Sequence, residues 1–328
     1  MALLERTRSQ QPQRRREIVP GVLLGSVVAA WTCCSWLMAE PPKWPGTRFP
    51  QFPAPDPQAM FERLFAPPGD EEKKALAGID VSIQEERQMG EAALRGFLAE
   101  LKARKIQVVR RGKEVDYLRE LAGAIEPLMS NRRRYGTIQV YLAQSPQCDA
   151  RSFPGGSLVF FRGLLESAGS EAALVGIVGH ELAHLDRGHL LSRARRVKLA
   201  RQTFAGGVGG TSPEEFFARG TTALKVWTRP FQPEDEEEAD RDGARWAYQA
   251  GYDPREMARL FLQLQERQGA GPMALPSFLR SHAAPGDRHK AVMKLYEELQ
   301  RETPKERLYV GKENLRRRIA RSRQEFAQ

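Results

Sequence analysis

From Ile18 to Ala39 the chain carries no charged residue, and about 22 helical residues at 1.5 Å each would span a hydrocarbon core of roughly 30 Å. Prolines then take over between 41 and 68, among them Pro41, Pro42, Pro45, Pro53, Pro55 and Pro57; they block helix and remove sheet donors, so a stiff tether is expected. A helical period begins near Glu71, with Ile83, Arg87, Gly90, Ala93, Leu94, Phe97 and Leu101 recurring at steps of three and four. A second helix is predicted from Val115 to Met129. The period then changes to two strands, Thr137–Leu142 and Ser157–Phe161, the latter entered through the turn Pro154-Gly155-Gly156. Beyond them the pattern is helical to the end apart from the glycine loop Gly206–Gly210, and no internal repeat is visible. The expected organisation is a basic N-terminus (1–17), a membrane-meeting segment (18–39), a linker (40–70) and one domain (71–328) with a basic C-terminal tail. Its class is α+β, mainly helical, with a small antiparallel sheet.

Composition sharpens this picture only in part. The net charge of +10 is concentrated near the ends, in Arg14–Arg16 and in Lys312, Arg316, Arg317, Arg318, Arg321 and Arg323, which read as solvated. Basic residues interleaved with aromatic ones are absent, so no nucleic-acid partner is expected. Arg6, Arg8 and Arg14–Arg16 precede the apolar run and hold the N-terminus in the cytoplasm, which puts the domain outside it. The alternative is export after signal cleavage near Ala39. Cys33 and Cys34 are adjacent in the apolar run and Cys148 stands apart, so there is no disulfide framework.

The candidate chemistry lies in His180-Glu181-Leu182-Ala183-His184. Ser170 is a plausible cap, Glu171 an acidic first turn and Gly188 a stop, which together predict a buried helix. His180 and His184 share one face and can converge on one metal ion, whereas Glu181, about 100° around the helix, suits a base acting on a zinc-bound water. His189, five residues past His184, is expected to point elsewhere into solvent. A third ligand is sought in Pro233-Glu234-Asp235-Glu236-Glu237-Glu238-Ala239-Asp240, which opens a helix expected to end at Gly251. The macrodipole explains most of these carboxylates. Glu236 and Asp240, four apart and followed by Gly243, pair as a metal ligand and the acceptor for a ligand histidine, although composition alone does not separate Glu236 from Glu237 or Glu238.

HELAH followed some fifty residues later by EEEAD resembles the zincin-like gluzincin metallopeptidases of the HtpX, BepA, LoiP and CAAX prenyl protease type. The likeness runs from about Ile79 to the C-terminus and includes Ser82–Glu86, Pro154-Gly155-Gly156, Gly163-Leu164-Leu165, Ser281–Pro285 and Arg288. It implies one Zn2+ held by His180, His184 and Glu236, with Glu181 as base and Asp240 orienting a ligand. It further implies that Leu158, Val159, Phe160 and Phe161 form the sheet edge on which an extended polypeptide pairs. By the same resemblance His282 sits at the open metal position, steadying the oxyanion or latching the site, and Arg288 supports a carboxylate. Phe231-Gln232-Pro233 stands where the family usually carries Ser-Arg, so any role of that arginine is lost or passes to Arg229. The implied activity is metal-dependent endoproteolysis, with misfolded envelope proteins as candidate substrates; a zinc-bound chaperone with a latched site is the alternative.

Overall fold

The helical period that opens the domain becomes α1 (Asp70–Ala77) and α2 (Ile83–Ala103). Ser82 caps α2: its Oγ accepts the Glu85 N–H at 3.1 Å, and the Glu85 carboxylate accepts the Ser82 N–H at 2.9 Å, so two orphan donors are satisfied reciprocally. The computed structural model describes residues 70–205, 227, 229, 231–266 and 285–327, all within the unit Phe52–Gln328. The expected membrane segment 18–39, the linker up to residue 69, the loop Gly206–Gly210 and His282 lie outside the described residues. Among the described residues no helix is long and apolar enough to cross a membrane.

Four strands form one sheet: β1 (Val108–Val109), β2 (Gln139–Ala143), β3 (Ala150–Phe153) and β4 (Ser157–Phe161), in the order β1-β2-β4-β3. The sheet is mixed rather than wholly antiparallel, because β2 and β4 run parallel with Val140 opposite Leu158. The β3–β4 hairpin acts as the crossover that a parallel pair requires. This order corrects the expectation for Leu158, Val159, Phe160 and Phe161. Their strand is paired on both sides and each residue is at most 2% exposed, so β4 is interior and β3 is the terminal strand on that side.

Helices cover both faces of the sheet. Leu142, Leu158 and Phe160 pack into the larger core with α3 (Lys113–Ile125) and α5 (Glu171–Asp186), while Tyr141, Val159 and Phe161 pack with α2 and α6 (His189–Ala205). Between sheet and α5 lies the short α4 (Arg162–Ser167). The larger core is completed by α7 (Pro233–Gln249), α8 (Arg255–Glu266) and α9 (Pro285–Glu302).

The basic C-terminal stretch is not simply solvated. Just ahead of α10 (Lys312–Arg317) the chain returns to the start of α5: Gly311 O and Val310 O accept the N–H groups of Glu171 and Ala172, two of the donors every helix N-terminus leaves open. The Glu171 carboxylate in turn accepts the Arg321 N–H at 2.9 Å and the Tyr252 hydroxyl at 2.8 Å. Burial pushes the Glu171 pKa up, against the pull of these donors. Asn314, fully buried, ties the turn together by donating to Ile319 O and Gln324 O, each at 2.8 Å. Arg321 lies over the rings of Tyr252 and Tyr309. Arg321 is thus held among aromatic rings, whereas Arg316 and Arg317 are exposed, as expected, and pair with Glu313.

Candidate metal centre

The first side of the site is built on α5, of which every residue is buried. Ser170 Oγ accepts the Ala173 N–H at 3.2 Å, starting the helix where the sequence indicates. The second side is α7, opened by Pro233 at its first position. These helices meet backbone to backbone. A β-carbon on Gly243 would stand 2.7 Å from both Gly176 O and His180 N, so only a residue without one allows this approach.

That approach carries Glu236 and Asp240 to the histidines. His180 Nε2 lies 3.2 Å from His184 Nε2 and 3.3 Å from Glu236 Oε2, and His184 Nε2 lies 3.9 Å from Glu236 Oε1. One ligand atom from each residue falls within 4.8 Å of the others. Nitrogens 2.0–2.1 Å from a tetrahedral ion stand about 3.4 Å apart, so the spacing of the two rings fits a shared ion. Glu236 Oε2 adds an independent observation: it is buried and makes no hydrogen bond, and the Arg288 guanidinium at 3.7 Å is too far to satisfy it, an arrangement that costs free energy unless a closer cation completes it. The donor set therefore fits a divalent metal.

A carboxylate can only accept, so the 2.9 Å contact of His180 Nδ1 with Asp240 Oδ1 puts the proton on Nδ1 and turns Nε2 toward Glu236. Arg288 grips the same carboxylate through Nε at 2.5 Å and Nη2 at 2.6 Å. Burial raises the pKa of Asp240, yet the Arg288 charge and the His180 hydrogen bond outweigh it and hold the carboxyl below its ordinary value. Burial alone would lower the His180 pKa; Asp240 and Glu236 reverse this and bring it to about 9. His184, buried without such a carboxylate and beside His180, is held well below the usual imidazole range. Burial raises Glu181 to about 7.

The structure thus brings His180, Glu181, His184, Glu236, Asp240 and Arg288 together. Leu158 to Phe161 lie in the sheet interior, and His282 is outside the described residues. A narrow pocket over His180, Glu181, His184 and Glu236 is lined by Ala150, Arg151 and Ser152 of β3, and by Trp227, Arg229 and Phe231. Phe231 stacks on His184 with ring centroids 3.8 Å apart and planes 13° from parallel, and the Arg193 guanidinium lies 3.6 Å from the Phe231 centroid. Trp227, Arg193 and Ser152 went unrecognised in the sequence because nothing local marks them, and Phe231 was marked there only as a departure from the family pattern. His189 is the main correction. It is buried, and its Nδ1 lies 2.9 Å from His184 Nδ1. A helical wheel does not apply across Gly188, whose φ of +75° breaks the helix and starts α6 at His189. The signal was the glycine itself.

The model of peptidase family M48 matches residues 118–295, which is more than half of the chain and includes His180, Glu181, His184, Glu236, Asp240, His282 and Arg288. The chain is 28% identical over 222 residues to the beta-barrel assembly-enhancing protease of Yersinia pestis and 27% identical over 225 residues to that of Escherichia coli (strain K12), covering in each case 65% of this chain and 44% of the relative. It is also 29% identical over 161 residues to the mitochondrial metalloendopeptidase OMA1 of Bos taurus, covering 45% of this chain and 30% of that protein. The chain thus spans less than half the length of these relatives. With the family model lying over the two facing helices and their histidines and carboxylates, the chain carries a metallopeptidase domain and belongs to peptidase family M48.

Proposed function

We propose that the chain is a zinc-dependent endopeptidase in which His180, His184 and Glu236 hold the metal and Glu181 is the general base. The observation that carries this reading is the buried Glu236 Oε2, which makes no hydrogen bond and lies 3.3 Å from His180 Nε2. Zinc bound there would supply Lewis acidity, polarising a peptide carbonyl and acidifying water at its open position. Glu181 accepts the proton of the attacking water and delivers it to the leaving amine; a carboxylate whose burial raises its pKa is a stronger base than a solvated one. Asp240, backed by Arg288, keeps His180 in the tautomer that presents Nε2. The polypeptide substrate runs along β3, whose Ala150, Arg151 and Ser152 line the pocket, rather than along β4. The family resemblance supports His282 as a group that steadies the oxyanion.

Cell-envelope protein quality control is the cellular role that the relatives' names and the apolar segment 18–39 together support, with that segment as anchor or cleaved leader and the domain outside the cytoplasm. The deciding experiment uses the purified full-length chain. We expect one zinc per chain and casein cleavage that Glu181→Gln abolishes; equal cleavage by both proteins overturns the mechanism. Protease-accessibility mapping in intact cells tests the topology: protection of the domain from protease added to the envelope space would overturn the localisation.

A further inference from the structure

We infer that His189 is a positioning residue for His184, acting on it as Asp240 acts on His180; the inference rests on the zinc site proposed above. The two ligand histidines are held differently. His180 Nδ1 faces a carboxylate, while His184 Nδ1 faces another imidazole nitrogen, His189 Nδ1, at 2.9 Å. A hydrogen bond between two ring nitrogens needs one proton and one bare lone pair, so the tautomers of both rings are coupled. His184 Nε2 points at His180 Nε2 and Glu236, and to bind metal it must be bare. Its proton then sits on Nδ1 and is donated to His189. His189 must accept on Nδ1 and carry its own proton on Nε2, and that nitrogen has an acceptor to meet it in Glu238 Oε2 at 3.4 Å, with the Asp235 carboxylate adding negative charge at 3.7 Å.

The chain of contacts from Glu238 through His189 to His184 therefore selects the tautomer that bares His184 Nε2. Phe231, stacked on His184, fixes the plane of the same ring. Outer partners of ligand histidines typically change metal affinity 10- to 100-fold when removed.

The test compares three variants of the purified full-length chain by zinc dissociation constant, measured in competition with a chromophoric chelator. His189→Asn keeps an acceptor oxygen where Nδ1 sits. His189→Gln fills the ring's space but carries its amide beyond that place, and His189→Leu offers no acceptor. We expect Gln and Leu to weaken zinc about 10- to 100-fold and Asn to stay within a few-fold of the wild type, with metal-free unfolding midpoints reporting any general loss of structure. Should Leu fail to fold, the contrast between Asn and Gln still decides. Equal affinities in wild type and Gln, or equal weakening by Asn and Gln, overturn the inference alone. A wild-type chain that binds no zinc overturns the metal-site reading, and this inference with it.

Discussion

Gly179 and Gly243 touch where α5 crosses α7, so closely that a β-carbon on Gly179 would stand 2.9 Å from Gly243 Cα. The histidines and the acidic pair are consequently spaced by backbone contact, with no side chain between the helices to yield. Gly243→Ala must separate them. We expect a loss of ~1–3 kcal/mol, as for other overpacked cores, and a parallel loss of zinc affinity. Gly123→Ala in α3 is the control, since a β-carbon there meets nothing within 4 Å and the substitution is expected to be neutral or mildly stabilising. Urea unfolding of both variants checks this, and an unperturbed midpoint for Gly243→Ala would contradict the packing account.

Arg288 and Asp240 form a buried pair beneath His180, with side chains 2% and 6% exposed. Removing one member leaves the other buried with only a weaker counter-charge, His180 for Asp240 and Glu236 for Arg288. Arg288→Met is therefore expected to cost ~3–5 kcal/mol, and the double variant Arg288→Met/Asp240→Asn to cost less than the sum of the single ones. A double-mutant cycle with additive effects would show that the pair is not coupled.

Metal-free stability should fall between pH 7 and 9. With its folded pKa raised from 6.5 to about 9, His180 contributes stability that is complete below the unfolded value and lost as pH rises through the folded one. Glu181, raised to about 7, has lost its own contribution by the start of this window. His184, held low, adds nothing above pH 6.5, and Asp240, held low, acts only in acid. Zinc must displace the His180 proton, so apparent zinc affinity should rise about tenfold per pH unit across the same window. Chelator competition at pH 7, 8 and 9 measures it; a flat profile would falsify the assignment of that proton to His180.

Tyr309 anchors the C-terminal return. Its hydroxyl donates to Asn314 Oδ1 at 2.5 Å and accepts the Phe326 N–H at 2.9 Å. Tyr309→Phe strips a partner from both and is expected to cost ~1–3 kcal/mol. Hydrogen exchange at the Glu171 and Ala172 amides, which bond to Gly311 O and Val310 O, should accelerate with it. Exchange unchanged at those two amides would mean that the start of α5 does not depend on this segment.

Much of the site was legible because its signals are local. Ser170 caps α5, Pro233 opens α7, and the i,i+4 pairs His180/His184 and Glu236/Asp240 each share a helix face. What escaped depends on contacts between distant parts of the chain. Ala150–Phe153 has no apolar alternation, so β3 was not anticipated. Leu158-Val159-Phe160-Phe161, by contrast, is a continuous apolar run, which is the mark of a strand covered on both faces and argued from the start against an edge. Arg321 looked solvated because the tyrosines that receive it lie back in sequence, Tyr252 above all. His189 was misplaced by extending one helix past the residue that ends it.

The clasp between Glu171 and Arg321 joins residues 150 positions apart. A nascent chain still on the ribosome exposes the histidine-bearing helix well before the segment that secures its first turn has emerged. The first turn of that helix can therefore reach its final bonding only once synthesis has passed residue 321.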